Sequence, residues 1–335
     1  MSLLPPIFEI ATGYWASQAV YVAAKLGIAD LLAEGPKSSE EMARATGANG
    51  NAICRLLRAL ASLGVLAHEH HRFHLTEIGI PLRSGVPGSL RSMLLTLGEE
   101  HYHAWGRLLH SVKSGEPAFN RVYNAPLFEY LQSNAAAGET FNDAMNDFTR
   151  QAALACALAY DFSGIRSAVD VGGGHGALIG TILRCYPAMT GVLFDSATVL
   201  EKAGQQVKAA GIEDRCLVVA GNFFESVPQG AGAYLMKNVL HDWDDDSAVT
   251  ILQNCRRAMG EDAKLLVIEV VLRAGSEESF ESLLDLNMLV MSGGRERTEA
   301  EYRRLLENGG FQLTRITPTV ASVSVIEGVP SGFGA

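Results

Sequence analysis

Three consecutive glycines, Gly172 to Gly174, with a fourth at Gly176, sit in the middle of this 335-residue chain and limit its fold more than any other feature. The stretch Val169 to Gly176 reads VDVGGGHG; it follows the apolar pair Ala168 and Val169 and precedes Ala177, Leu178, Ile179, Ile182 and Leu183, whose spacing suits one helix face. The reading is strand, glycine turn, helix. A backbone without Cβ adopts positive φ and lets a ligand approach to contact distance, and the helix start offers free N–H groups. A nucleotide-like ligand is therefore expected across the turn. The next apolar strand, Gly191 to Phe194, ends in Asp195, at about the separation where an acid receives ribose hydroxyls in nucleotide-binding α/β units. Gly172, Gly174 and Ala177 also satisfy the dinucleotide pattern, and such a turn can be purely structural, so the glycines alone leave the ligand open.

A chain this long is too large for one ordinary core, so two domains, or one α/β domain with a helical appendage, are expected. The net charge of −10 argues against a nucleic-acid or anionic-membrane partner, although an average can hide a local basic patch. Cys54, Cys156, Cys185, Cys216 and Cys255 lie far apart with no CxxC or metal spacing, which suits reduced thiols in a cytoplasmic protein without disulfide or structural zinc. The first residues carry Pro5, Pro6 and Glu9 rather than a basic patch and an apolar run, and no uncharged stretch reaches membrane-spanning length. A soluble, unprocessed protein is expected.

Residues 17–32 place Val20, Ala23, Ala24, Ile28, Leu31 and Leu32 at helical spacing. Ser38 to Glu41 then start a short acid-capped helix that Gly47 stops, and a second helix runs from about Asn51 to Leu63. Val65 and Leu66, then Arg72 to Leu75, follow as short strands around a polar tip, His68 to His71, completing a winged-helix outline. The second helix offers only Arg55 and Arg58 to a nucleic acid, and acids equal bases over residues 1–90, so DNA binding is not the reading preferred. The apolar surface, with Ile7, Phe8, Ile10, Tyr14 and Trp15 ahead of it, instead predicts homodimerisation. From Ser89 to Phe162 the pattern stays helical with aromatic and methionine residues at intervals, which fits core packing or the lining of a pocket for a flat substrate. His101 and His103 have no third ligand nearby and read as structural.

After Phe162 strands near 167–171, 191–195, 216–220, 232–236 and 264–270 alternate with helices, the signature of a mostly parallel sheet covered on both faces. Ligands of such sheets sit at the carboxyl ends of the strands. Those ends carry Asp170, Asp195, Asn222 with Phe223, Lys237, and the cluster Asn238 to Asp246. The acids after Trp243 have the ordinary task of capping a helix that begins near Asp245. His241 and Lys237 have no such task, and histidine is the usual general base near neutral pH. Glu269 at a strand end and Glu296 before the helix begun by Thr298 are open to both readings, solvated or capping acids on one side and site groups on the other.

Taken in order, VDVGGGHGA, the pair Phe194 and Asp195, GNFFESVP, MKNVLHDWDDD, the Glu269 strand and GGRERTEAEYRRLLENGGF resemble the plant-type small-molecule O-methyltransferase family. Caffeate, isoflavone and acetylserotonin O-methyltransferases and many bacterial natural-product enzymes belong to it. The resemblance covers nearly the whole chain and implies a winged-helix dimerisation domain over 1–88, a helical connector over 89–163 that contributes to the substrate pocket, and a Rossmann-like S-adenosylmethionine-binding domain over 164–335. It implies that Gly172 lies along the cofactor's amino-acid portion, Asp195 takes the ribose hydroxyls, Asn222 and Phe223 lie at the adenine, and Lys237 also contacts S-adenosylmethionine. His241 is then the general base, with Glu269 and Glu296 flanking it as catalytic carboxylates. Phe141, Met145 and Met288 match pocket positions and imply a flat, apolar acceptor. No metal is implied.

Two departures stand out. Asn222 replaces a frequent aspartate, keeping an acceptor for the adenine amine without the charge. His175 stands where a small hydroxyl residue is frequent in plant enzymes, and its ring is expected to face solvent or the preceding helical region. Three other functions compete: methylation of nitrogen, a drift to decarboxylation or hydroxylation, and a winged-helix regulator that senses a ligand. The joint presence of His241, Glu269 and Glu296 favours oxygen.

Overall fold

The computed structural model describes residues 5–273 and 279–331. It comprises two compact units, one built from the residues up to Tyr102 together with Glu139–Asp147, the other from His103–Gly138 and the residues from Phe148 onward. The segment 89–163, expected as one connector, is thus shared between them.

In the first unit a helix starts with Pro6 at its first turn, where a missing N–H costs nothing, and runs Pro6–Lys25. The single helix expected over 17–32 is broken: Gly27 takes a left-handed φ of 65°, and a separate turn, Ile28–Ala33, buries Ile28, Ala29 and Leu32. Ser38 and Glu41 form a capping box for Ser39–Thr46, and the Asn49 side chain accepts from the amides of Asn51 and Ala52 to open Gly50–Ser62. That last helix buries Ile53, Leu57 and Leu60 against Met42 and Phe73. Each such side chain contributes roughly 1.5–3 kcal/mol. Leu66–Glu69 and Arg72–Leu75 form the wing hairpin. Ile7, Ile10 and Trp15 on the first helix are left 71%, 75% and 58% exposed.

The second unit holds a seven-stranded sheet. Its strands are β1 (Ser167–Val171), β2 (Thr190–Asp195), β3 (Cys216–Ala220), β4 (Ala233–Lys237), β5 (Lys264–Glu269), β6 (Phe311–Pro318) and β7 (Ser324–Pro330). The order across the sheet is β3-β2-β1-β4-β5-β7-β6. Strands β1 to β5 run parallel, and β7 enters antiparallel beside β5. Successive residues go to opposite faces, as a two-residue period requires: Leu235, Leu266 and Ile268 join one core with the helix Ala177–Cys185, while Tyr234, Met236, Leu265 and Val267 join another with Asp245–Ala258 and Glu299–Asn308. The strand order reverses between β1 and β4, which opens a crevice at their carboxyl ends. None of the described helices is long and apolar enough to cross a membrane.

Candidate active site

The glycine turn forms at the carboxyl end of β1. Gly172, Gly174 and Gly176 have φ of 68°, 60° and 84°, a region that L side chains rarely adopt. A Cβ on Gly172 would come within 2.9 Å of Val239 and 3.6 Å of the Phe223 ring, whereas one on Gly174 would meet open space. The turn is tied to the next strand: Gly172 N–H donates to Phe194 O at 2.9 Å, and Gly174 N–H donates to Asp195 Oδ2 at 2.8 Å. Burial raises the Asp195 carboxyl above its ordinary range, against the opposing effect of the Gly174 and Ser196 amides. Beneath the turn lies Asp170, fully buried; one oxygen accepts from Ile179 N–H at 3.2 Å, the other has no hydrogen-bond partner, and burial pushes its pKa up to about 7. His175, expected toward solvent or the preceding helical region, is only 7% exposed, and its charge acts on Asp195.

Beyond β3, Asn222 closes the following turn itself. Its Oδ1 accepts from Phe224 N–H at 3.0 Å, and its amide donates to Glu225 at 3.1 Å. Phe223 packs near Trp243 edge to face, with centroids 6.2 Å apart, and Trp243 stacks on Phe128 at 5.5 Å. Lys237, at the end of β4, donates to Asn238 Oδ1 at 3.1 Å and lies 5.2 Å from the Phe148 ring centroid. Desolvation lowers its pKa to about 8. These groups surround an open-faced turn with an aromatic wall, an acid and an ammonium, a set that suits a zwitterionic nucleoside such as S-adenosylmethionine.

His241 stands on a one-turn 3₁₀ segment, Leu240–Asp242, just after β4. Its ring is buried, with Nδ1 2.8 Å from Glu296 Oε1 and Nε2 3.8 Å from Asp242 Oδ1. Burial pulls the imidazole pKa down, but Asp242, Glu296 and Glu269 together outweigh it and lift it to about 9. Asp242 is itself raised to about 6, chiefly by burial. Glu269 serves the backbone rather than the ring: Oε1 accepts from the amides of Val239, Leu240 and His241 at 3.0, 2.7 and 3.2 Å, and Oε2 accepts from Tyr302 O–H at 2.5 Å. The two glutamates do different work, one on the ring and one on the turn that carries it. Glu301, not Glu296, caps the helix after Thr298.

The strap 293–298 closes on this turn. A Cβ on Gly294 would lie 1.9 Å from His241 O, and Arg295 N–H donates to the same oxygen at 2.9 Å. Glu296 N–H donates to Asp285 at 2.9 Å. Arg297, Tyr302 and Asp285 also touch this turn, Glu269 or the strap; no sequence motif assigned them a role, and for Arg297 it is burial that marks it out. Met288 is buried on the helix Ser279–Met291 of this unit. Phe141 and Met145, four apart on Ala135–Ala159, belong to the stretch that clusters with the first unit.

The chain is similar to known proteins over most of its length. Residues 105–312 fit the O-methyltransferase domain model and residues 8–81 the O-methyltransferase dimerisation domain. A phenazine O-methyltransferase of Lysobacter antibioticus is 44% identical over 97% of this chain and 95% of its own length, and a phenazine-1-carboxylate N-methyltransferase of Pseudomonas aeruginosa is 33% identical over 92% of each. Human N-acetylserotonin methyltransferase in complex with S-adenosylmethionine superposes with a TM-score of 0.92 at 28% identity, covering 99% of this chain and 100% of that one. An O-methyltransferase from neocarzinostatin biosynthesis, solved with S-adenosylmethionine and 2-hydroxy-5-methyl naphthoic acid, gives 0.82 at 33% identity over 94% and 96%.

Proposed function

Since the chain belongs to the S-adenosylmethionine-dependent O-methyltransferase family, we propose that it methylates a hydroxyl of a small planar aromatic compound, phenazine-like or naphthoate-like, with His241 as general base. The observation that carries the reading is the 2.8 Å contact between His241 Nδ1 and Glu296 Oε1. It keeps the Nδ1 proton on the carboxylate side and leaves Nε2 to take the acceptor's proton. S-adenosylmethionine supplies an electrophilic methyl group on a sulfonium. The chain's own task is to hold the hydroxyl in line with it and to remove a proton; a phenol with a pKa of about 10 is mostly neutral at cellular pH, so the base matters.

Within this reading Gly172, Asp195, Asn222, Phe223 and Lys237 hold the cofactor, supported by the open turn and the acid beside it. Glu296 orients the base, Glu269 fixes the turn beneath it, and Met288, buried in the same unit as His241, lines the acceptor pocket. The residues 8–81 support a homodimer formed through the first unit. Methylation of nitrogen remains the second reading because the N-methyltransferase relative is similar over most of the chain, but a ring nitrogen has no proton to give, and a buried base with its own carboxylate favours oxygen.

The test begins with calorimetric titration by S-adenosylmethionine, followed by incubation with 1-hydroxyphenazine, phenazine-1-carboxylate and a hydroxynaphthoate and analysis of products by mass and NMR. O-methyl product is expected, and His241→Ala should lose roughly hundredfold or more in kcat with cofactor affinity nearly intact. A loss under about tenfold overturns the base assignment, and N-methyl product alone overturns the acceptor class.

A further inference from the structure

Arg297 is 1% exposed, among the most deeply buried of the large side chains, and its guanidinium reaches both sides of the His241 turn. Nη1 donates to Leu240 O at 3.0 Å. Nη2 donates to Trp243 O at 2.9 Å and to Asp245 Oδ1 at 2.8 Å, and Nε donates to the same Asp245 oxygen at 3.0 Å. Leu240 and Trp243 bracket His241 and Asp242, and Asp245 opens the helix Asp245–Ala258. The arginine's own backbone is anchored twice. Arg297–Thr298 pairs in parallel with Val271–Leu272, directly after the strand that ends in Glu269, and Thr298 caps Glu299–Asn308.

We propose that Arg297 is a positioning residue for methyl transfer: its planar fork fixes the two carbonyls and the helix start around His241, so that the base and its Glu296 partner keep a single geometry. Glu269 holds the turn from its amide side through three N–H donors, and Arg297 holds it from its carbonyl side. Between them the short segment has little freedom left. A lysine offers one ammonium where the arginine offers a rigid set of donors, and it cannot span Leu240 O, Trp243 O and Asp245 together. A merely structural arginine would contribute stability alone; a positioning one also sets how the imidazole meets Glu296, Asp242 and Glu269, the charged groups that face it.

The inference rests on His241 being the base, so the experiment reads the turn as well as turnover. Arg297→Lys and Arg297→Ala are made in the full chain and compared with wild type for S-adenosylmethionine affinity, kcat on 1-hydroxyphenazine, and titration of the His241 ring by NMR of histidine-labelled protein. Misplacing a catalytic group by an ångström costs about hundredfold. Arg297→Ala should therefore lose about that much in kcat and Arg297→Lys about tenfold, with cofactor affinity within about threefold and the His241 titration moved toward that of an ordinary imidazole. Millimolar guanidinium should restore part of the Arg297→Ala rate where potassium chloride at equal ionic strength does not. If Arg297→Ala fails to fold, Arg297→Lys decides. An unchanged His241 titration with kcat within about threefold overturns the proposal, as does a lysine variant that cannot fold, because the arginine would then be structural. A shifted titration in an enzyme that leaves 1-hydroxyphenazine untouched supports Arg297 and counts against the acceptor reading alone.

Discussion

At the scale of single residues, His241 lies between two carboxylates, Glu296 at Nδ1 and Asp242 near Nε2, and its pKa is lifted to about 9. The proposed role as general base requires the ring to be neutral to accept a proton, so on that proposal the active fraction grows with pH. The logarithm of kcat/KM for a phenolic acceptor should rise through neutrality and level off near the raised pKa rather than near the ordinary imidazole value of about 6.5. In Glu296→Gln the limb should move to lower pH while the plateau falls, and a limb that stays at the ordinary imidazole value in wild type would refute the ion pair. Stability follows the same proton with the opposite sign. A pKa raised in the folded state stabilises fully below the unfolded value of about 6.5, and that stabilisation is lost as pH climbs through about 9. The excess in melting temperature of wild type over His241→Gln should accordingly be largest near pH 6 and shrink by pH 9.5, as calorimetry can read. Glu269 makes a separate prediction, because three amides and a phenol point at one buried carboxylate. Glu269→Ala should cost about 3 kcal/mol or more in urea unfolding, and a loss under about 1 kcal/mol would deny it the task of holding the turn.

At the scale of elements, the strap 293–298 and the turn 240–242 meet so closely that Gly294 has no room for a side chain. A methyl there would sit 1.9 Å from His241 O and 2.6 Å from the carbonyl carbon of Asp242. Since both neighbours are backbone, Gly294→Ala must displace the turn, and a loss of about hundredfold in kcat is expected with the cofactor still bound; wild-type kcat would mean that the strap yields freely. This contact also marks where the sequence stops being legible. The glycine turn, Asp195, the five parallel strands and both capped helices of the first unit follow from spacing and local chemistry, and each is found within a residue or two of its expected bounds. The ring partnership of Glu296 does not follow from spacing, because it joins residues 55 apart in sequence and a glutamate ahead of a helix has an ordinary capping use; only the family resemblance puts that glutamate beside His241. Gly27 was masked by good apolar periodicity on both of its sides. Strands β6 and β7 lie past the alternation because one helix there is followed by two strands, which the βα pattern does not anticipate, and the two-residue period of Phe311 and Leu313 is lost before Ile316, where the register shifts between Leu313 and Arg315.

At the scale of the whole molecule, a chain with net charge −10 still carries a strip of large apolar residues on its first helix: Ile7, Phe8, Ile10, Tyr14 and Trp15 are all exposed. Isolated exposed apolar residues are ordinary, but five within nine positions of one helix are costly to leave in water. Neither the buried core of the first unit, which is complete around Leu57, Leu60 and Phe73, nor the site chemistry uses them. A second copy of the chain is the partner consistent with the dimerisation-domain match over 8–81, and a closed twofold would bury the same strip on both protomers. Removing residues 1–85 should therefore yield monomer or aggregate in light scattering coupled to size exclusion. The milder Ile7→Asp with Ile10→Asp should lower the apparent mass toward one chain while leaving S-adenosylmethionine affinity within about threefold, because the groups proposed to hold the cofactor, the glycine turn, Asp195 and Lys237, lie wholly in the second unit. A well-behaved dimer after the deletion would assign association to the second unit instead, where Leu154, Leu158, Leu109 and Val112 are also exposed.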